Sequence, residues 1–166
     1  MADHGIRVAG AAGDAFWRFS LALYARPGVA EALIALQDRA GRDINLVLLG
    51  LWRGATNGEK LDAAALRLAA AAIAPLNAVV APLRTLRRRL KGAADGDVAA
   101  LRRHIAGLEI AAERQVQCRL ADTPLPGQQA DRDAAAAANL ALCLGEEAAS
   151  PEAALLRQAL SALVRR

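Results

Sequence analysis

The densest run of large apolar side chains, Ile44 to Trp52, follows directly on the most polar turn of the chain, Gln37 to Asp43. Helical spacing places Asn45, the one strongly polar side chain in that run, on the face of Leu48, Leu49 and Trp52. An amide buried there needs hydrogen-bond partners. The pattern predicts a helix over 44–54, capped by Asp43, at the centre of the core. Ahead of it, Asp14 is placed to cap a helix over 15–25, with Phe16, Phe19 and Leu23 in one stripe and Trp17, Leu21 and Tyr24 in a second. A helix apolar nearly all round is expected to lie between others. Pro27-Gly28 breaks it, a helix over 28–40 turns Val29, Leu33, Ile34 and Leu36 inward, and Gly41 closes it. Gly54 to Lys60 reads as an exposed loop.

Asp62 opens an Ala-rich segment that meets Pro75 and then Pro82. Each proline removes a backbone hydrogen bond and crowds the preceding turn, which predicts a break or kink at Pro75 and a restart near Pro82. Leu83, Leu86 and Leu90 then form an apolar stripe, with Arg84, Arg87, Arg88 and Lys91 facing away from it. After a turn over 92–96, Asp97 is expected to cap a helix over 97–121 whose stripe is Val98, Leu101, Ile105, Leu108, Ala112 and Val116. So short a turn makes these two helices antiparallel neighbours. Counting outward from it pairs Arg84 with Arg103 and Asn77 with Glu109, which puts cations at one end of the hairpin and Asn77, Glu109 and Glu113 towards the other.

Beyond Thr123-Pro-Leu-Pro-Gly come helices over 131–144 and 151–166 with few large side chains, expected to bury little. No stretch alternates with period two. The fold class is therefore all-α, a compact helical bundle of about six or seven helices. It reads as a single domain with a helical core over 14–121, on which the Ala-rich, acidic helices of 122–166 pack or flank. Residues 1–13 lack periodicity and read as loose.

Composition refines this picture. Of the 166 residues 55% are apolar, but roughly a quarter are alanine, the best helix former and a poor source of transfer energy. The net charge is +4 with a pI near 9.8, and its distribution matters more than its sum. Arg84, Arg87, Arg88, Arg89, Lys91, Arg102 and Arg103 face only Asp95 and Asp97 in their sector, whereas Asp122 to Glu152 is acidic. Cys118 and Cys143 show no metal spacing and read as free thiols. The N-terminus lacks a secretory layout, and Leu61 to Leu83 is interrupted by Arg67, Pro75, Asn77 and Pro82, so no membrane span is expected and the cytoplasm is the default compartment.

The run Phe16-Trp17-Arg18-Phe19-Ser20-Leu21, with Leu23-Tyr24, Pro27-Gly28-Val29, Leu36-Gln37-Asp38, Gly41, Asp43, Asn45-Leu46 and Trp52, resembles a proteobacterial family of small all-α proteins with a domain of unknown function. Pro82-Leu83-Arg84, Leu86-Arg87-Arg88, Glu109 and Ala112-Glu113-Arg114 continue the likeness, which covers residues 14 to 120. The resemblance implies no activity.

Candidate chemistry is sparse. Asp38, Asp43 and Asn45 would suit a hard cation, but capping, ion pairing and amide hydrogen bonding account for all three, so no metal or cofactor is expected. Glu109 and Glu113 lie one turn apart and need countercharge, from Arg114, Gln117 or Arg18. With Asn77, and near the ring of Trp17 or Trp52, they could line a polar pocket. His4 and His104 have no nucleophile to serve, and no Ser or Cys sits in a catalytic motif. The reading is a non-enzymatic interaction or accessory protein with an unknown protein partner. Its binding surface would join Gln37, Asp38, Arg42, Asp43 and Asn45 to Arg84, Arg87 and Arg88. The alternative is nucleic-acid or acidic-ligand binding through Arg84 to Arg103.

Overall fold

Five of the seven helices start at a side-chain cap. The computed structural model describes residues 10–164, and among these the helices are α1 (Ala11–Tyr24), α2 (Val29–Ala40), α3 (Ile44–Asn57), α4 (Ala63–Arg89), α5 (Gly96–Asp122), α6 (Arg132–Leu144) and α7 (Pro151–Val164). Asp43, Asp62 and Asp131 accept hydrogen bonds from the first turns of α3, α4 and α6, satisfying donors that have no partner inside the helix. Two expected caps fall elsewhere. α1 begins at Ala11, so Asp14 sits in its first turn, where the helix dipole still favours a carboxylate. α5 is capped by Asp95, whose carboxylate accepts from Asp97 and Val98 N–H. The loose reading of residues 1–13 fails at 11–13, which form the start of α1 with Gly13 buried; residues 1–9 and the end of the last helix at Arg166 fall outside the described residues.

α3 is the hub. Val47, Leu48, Leu49 and Leu51 are at most 1% exposed and Trp52 8%. The Phe16 ring of α1 stacks on Trp52 at 4.9 Å between centroids. α6 is the closest neighbour of α3: a Cβ built on Gly54 would stand 2.4 Å from the Cα of Ala136, and one on Gly50 3.2 Å from Cβ of Asn139. The C-terminal third is thus better packed than its small side chains suggest. Ala135, Ala136, Leu140 and Leu144 of α6 and Ala153, Leu156 and Leu160 of α7 are all buried, because alanine lets backbones approach and gain dispersion contacts that bulk would prevent. α7 lies against α2, and α4 against α5 as an antiparallel hairpin.

Three further expectations change. α4 runs unbroken through both prolines. Pro75 and Pro82 are two turns apart on its exposed side, as are Ala71 and Ala78, whose carbonyls lose their donors; on that side the carbonyls stay open to solvent and the rings meet no neighbouring helix, so the helix continues. Leu101 and Leu108, placed in the inward stripe of α5, are 54% and 59% exposed, because α4 covers only the adjoining face. The segment read as a loop carries a strand, β1 (Glu59–Leu61), antiparallel to β2 (Gly127–Gln129). Strands of three residues are too short to show a period. β1 is held by Asn139, 0% exposed, whose amide donates to Gly50 O (2.9 Å) and Glu59 O (2.8 Å) and accepts from Leu61 N–H (2.8 Å).

The crossing of α3 and α6 makes a paired prediction. Gly54→Ala should lower stability in urea unfolding by about 3 kcal/mol, since the obstructing atoms are backbone. Gly107→Ala, in the interior of α5 with nothing within 4 Å of its Cβ, should raise stability by about 0.5–1 kcal/mol. Equal effects at the two sites would contradict the close approach.

Candidate functional site

The hairpin brings the charges together rather than separating them. Arg84 Nε donates to Glu109 Oε1 at 3.2 Å and its Nη2 to Glu113 Oε1 at 2.6 Å. Arg87 holds Glu109 with both Nε and Nη2. The count from the turn pairs Arg84 with Arg103 because it compares Cα levels. Helical side chains lean towards their own N-terminus, so the arginines of α4 reach away from the turn and the glutamates of α5 towards it, and they meet in between. The expected countercharges do other work: Arg114 pairs with Asp14 at 2.9 Å, and Gln117 joins a chain in which Ser20 Oγ donates to its Oε1 (3.0 Å) and its Nε2 donates to Asn45 Oδ1 (3.1 Å).

The polar turn lies alongside. Asp43 uses Oδ1 to cap α3 and accepts from Asn77 Nδ2 on Oδ2 at 2.7 Å, so Asn77 belongs to the turn and not to the glutamates. Asp38 pairs with Arg88 at 3.0 Å, across helices, in place of Arg39 or Arg42 on its own turn. Arg39 reaches Glu147 and Glu152 instead. Arg42 leaves a buried Nε without a partner. Asn45 is half-buried.

Two hollows result. One of about 260 Å³ contains Arg42, Asp43 and Asn77; the other, of about 330 Å³, contains Trp17, Tyr24, Glu109 and Glu113. Gln37, Asn45 and Arg84 line both, so they adjoin and Arg84 stands between them. Of the residues anticipated for binding, Gln37, Arg42, Asp43, Asn45, Arg84, Arg87 and Arg88 all line one hollow or the other. Asp38 lies outside them and braces Arg88. The proposed pocket of Asn77, Glu109 and Glu113 is divided between the two. Trp52 lies in the core, against Phe16, and Trp17 alone of the tryptophans faces the site.

The apolar wall was not anticipated, and Ile34, read as turning inward from α2, belongs to it. Leu21 (53% exposed), Tyr24 (38%), Ile34 (51%) and Ile110 (56%) surround the larger hollow, with Ile44 and Leu48 beneath. The signal was present in α1: two apolar stripes on one short helix exceed what a single packed face needs. Packing consumes the Phe16 stripe, and the Trp17–Leu21–Tyr24 stripe opens onto the groove.

Burial pushes the Glu109 carboxyl up, but hydrogen bonds and charge from Arg87 and Arg84 outweigh it and leave the pKa below the usual range. Burial, reinforced by Glu113, pushes the Tyr24 hydroxyl up to about 12. The depressed Glu109 contributes stability that is present above the unfolded carboxylate pKa and lost as pH falls through the folded one. Glu109→Gln should therefore cost about 2–4 kcal/mol at neutral pH by leaving two guanidiniums short of charge. The gap between variant and wild type should begin to narrow as pH falls below the unfolded carboxylate value of about 4.3, and close only below the depressed folded one, where the wild type is also neutral at this position. Urea melts from neutral to acid pH measure it; an unchanged gap would rule out the carboxylate's charge as the cause.

A family model described as "Protein of unknown function (DUF2390)" matches residues 15–120. No curated protein and no solved structure matches the chain. The matched span runs through α1 to α5, and every residue lining the larger hollow falls within it.

Proposed function

The chain belongs to the DUF2390 family of unknown function, and on that premise we propose that it is a non-enzymatic interaction protein that holds a segment of another protein in the groove between α1, α2 and α5. The observation that carries this reading is the grouping of Leu21, Tyr24, Ile34 and Ile110, large side chains left in water around one concavity. Isolated exposed apolar residues are ordinary, whereas a group of them rimmed by charge marks a docking site. The floor supports binding over catalysis. Glu109 is ionised and doubly held, with its pKa shifted away from the value a general acid needs at neutral pH, and the polar chain Ser20–Gln117–Asn45 satisfies itself. The groove favours a helical or extended segment that supplies apolar anchors and a carboxylate, since Arg42, which lines the adjoining hollow, keeps a guanidinium Nε without a hydrogen-bond partner. Two free thiols, Cys118 and Cys143, accord with action in a reducing compartment such as the cytoplasm.

Nucleic-acid binding has less support than the sequence alone gives it. Arg84, Arg87 and Arg88 are each engaged by a carboxylate, leaving Arg89, Lys91, Arg102 and Arg103 as the cations of that sector without one among the described residues.

Selection from a random peptide library displayed on phage is the test. Apolar peptides bearing an acidic residue should be enriched, and binding should weaken at least tenfold, about 1.4 kcal/mol, in Leu21→Glu and Ile110→Glu, both exposed enough to leave folding intact. Enrichment of nothing, or of peptides indifferent to both variants, overturns the proposal. A mobility shift of duplex or single-stranded nucleic acid at low salt, abolished by Arg89→Ala with Arg103→Ala, would favour the other reading.

A further inference from the structure

α4 has no polar residue among those exposed over more than half of its length. From Leu68 to Pro82 the exposed positions are Leu68, Ala71, Ala74, Pro75, Ala78, Val79, Ala81 and Pro82, and the helix outside a core is expected to show the reverse. Only 22% of its most apolar 18-residue window is buried. Leu68, Val79 and Leu86 fall within about 20° of one another around the helix, and on α5 Leu101 and Leu108 do the same. Both stripes flank the α4–α5 seam on the side away from Arg84 and Glu113. The hairpin thus presents one continuous outer face, distinct from the groove.

We propose that this face binds the same face of a second copy of the chain, with α4 of each protomer lying across α5 of the other in an antiparallel four-helix arrangement. Three observations favour a second copy. The first is size: Leu68 to Leu86 spans about 28 Å and two helices are about 20 Å wide, the scale of the ~800 Å² per partner that a stable dimer buries.

The second is charge. Exposed Arg89 stands at the C-terminal end of the apolar side of α4, and the turn sets it level with exposed Asp97. A two-fold axis along the hairpin lays α4 over the partner's α5 at matched height, so Arg89 of each protomer meets Asp97 of the other.

The third is shape. Ala71, Pro75, Ala78 and Pro82 form a shallow track beside the stripe of Leu68, Val79 and Leu86, which allows close helix approach. The same residues give a bilayer little transfer energy, and no Trp or Phe is present to seat the face in a membrane interface. Although α4 is long and apolar enough to cross a membrane, its other side is committed to the Arg84 ion pairs and to α5.

Sedimentation velocity of the full chain from about 1 to 100 µM should show a species of twice 17.3 kDa at the upper concentrations. Val79→Glu with Leu108→Glu should give monomer throughout, with the thermal melt at low concentration unchanged, since both positions are exposed in the single chain. Arg89→Glu should weaken the dimer about three- to tenfold, and adding Asp97→Arg should restore it. A monomer at every concentration overturns the proposal, whether or not the protein floats with phosphatidylglycerol vesicles. A dimer that survives Val79→Glu with Leu108→Glu also overturns it, because another surface then forms the contact.

Discussion

Close approach of backbones around α3 is the constraint on which everything else rests. The helix carries its large side chains towards α1, α2 and α5 and its two glycines towards α6, so it is enclosed without being crowded. Gly54 sits nearly on the backbone of Ala136, and Phe16 stacks on Trp52 from the other side. With α3 fixed, its N-terminus is fixed as well, and Asp43 presents one oxygen to the helix and the other to Asn77 of α4. The polar turn is therefore tied to the hairpin through the cap of the central helix.

The hairpin adds an electrostatic layer. Two arginines and two glutamates are partly or largely removed from water, and each carboxylate is matched by a guanidinium. Such a cluster adds little net stability, because desolvation offsets most of its attraction, but losing one member is costly. Its use here is positional. It sets the height at which α4 and α5 meet and gives the groove a floor whose polar groups already have partners, so an incoming segment would find apolar walls and residual positive charge.

Most of the architecture was legible in the sequence because helices announce themselves locally. The 44–52 run, the aspartates before α3, α4 and α6, and the glycine after α2 each act within a turn or two of their own position. What could not be read depended on distant partners. The strands pair Glu59 to Leu61 with Gly127 to Gln129, far apart in the chain. The continuity of α4 depends on which side of the helix its prolines occupy. The ion pairs depend on the lean of long side chains, which a count of Cα positions ignores. The groove residues Gln37, Asn45, Arg84 and Arg87 could be named from their polarity, whereas Leu21, Ile34 and Ile110 could not, because an apolar residue looks the same in sequence whether packing uses it or leaves it over.

The single amide of Asn139 carries a broader implication. It fastens the middle of α3 to the edge of β1 from a helix that begins well past the end of the span shared with the family. The shared span is thus a cup without a lid: its central helix keeps one flank of bare glycine backbone that only a narrow, alanine-lined rod can seat against. A relative that kept glycines at the equivalents of Gly50 and Gly54 would face the same closure, and small residues at the equivalents of Ala135 and Ala136 would be the mark of having solved it in the same way.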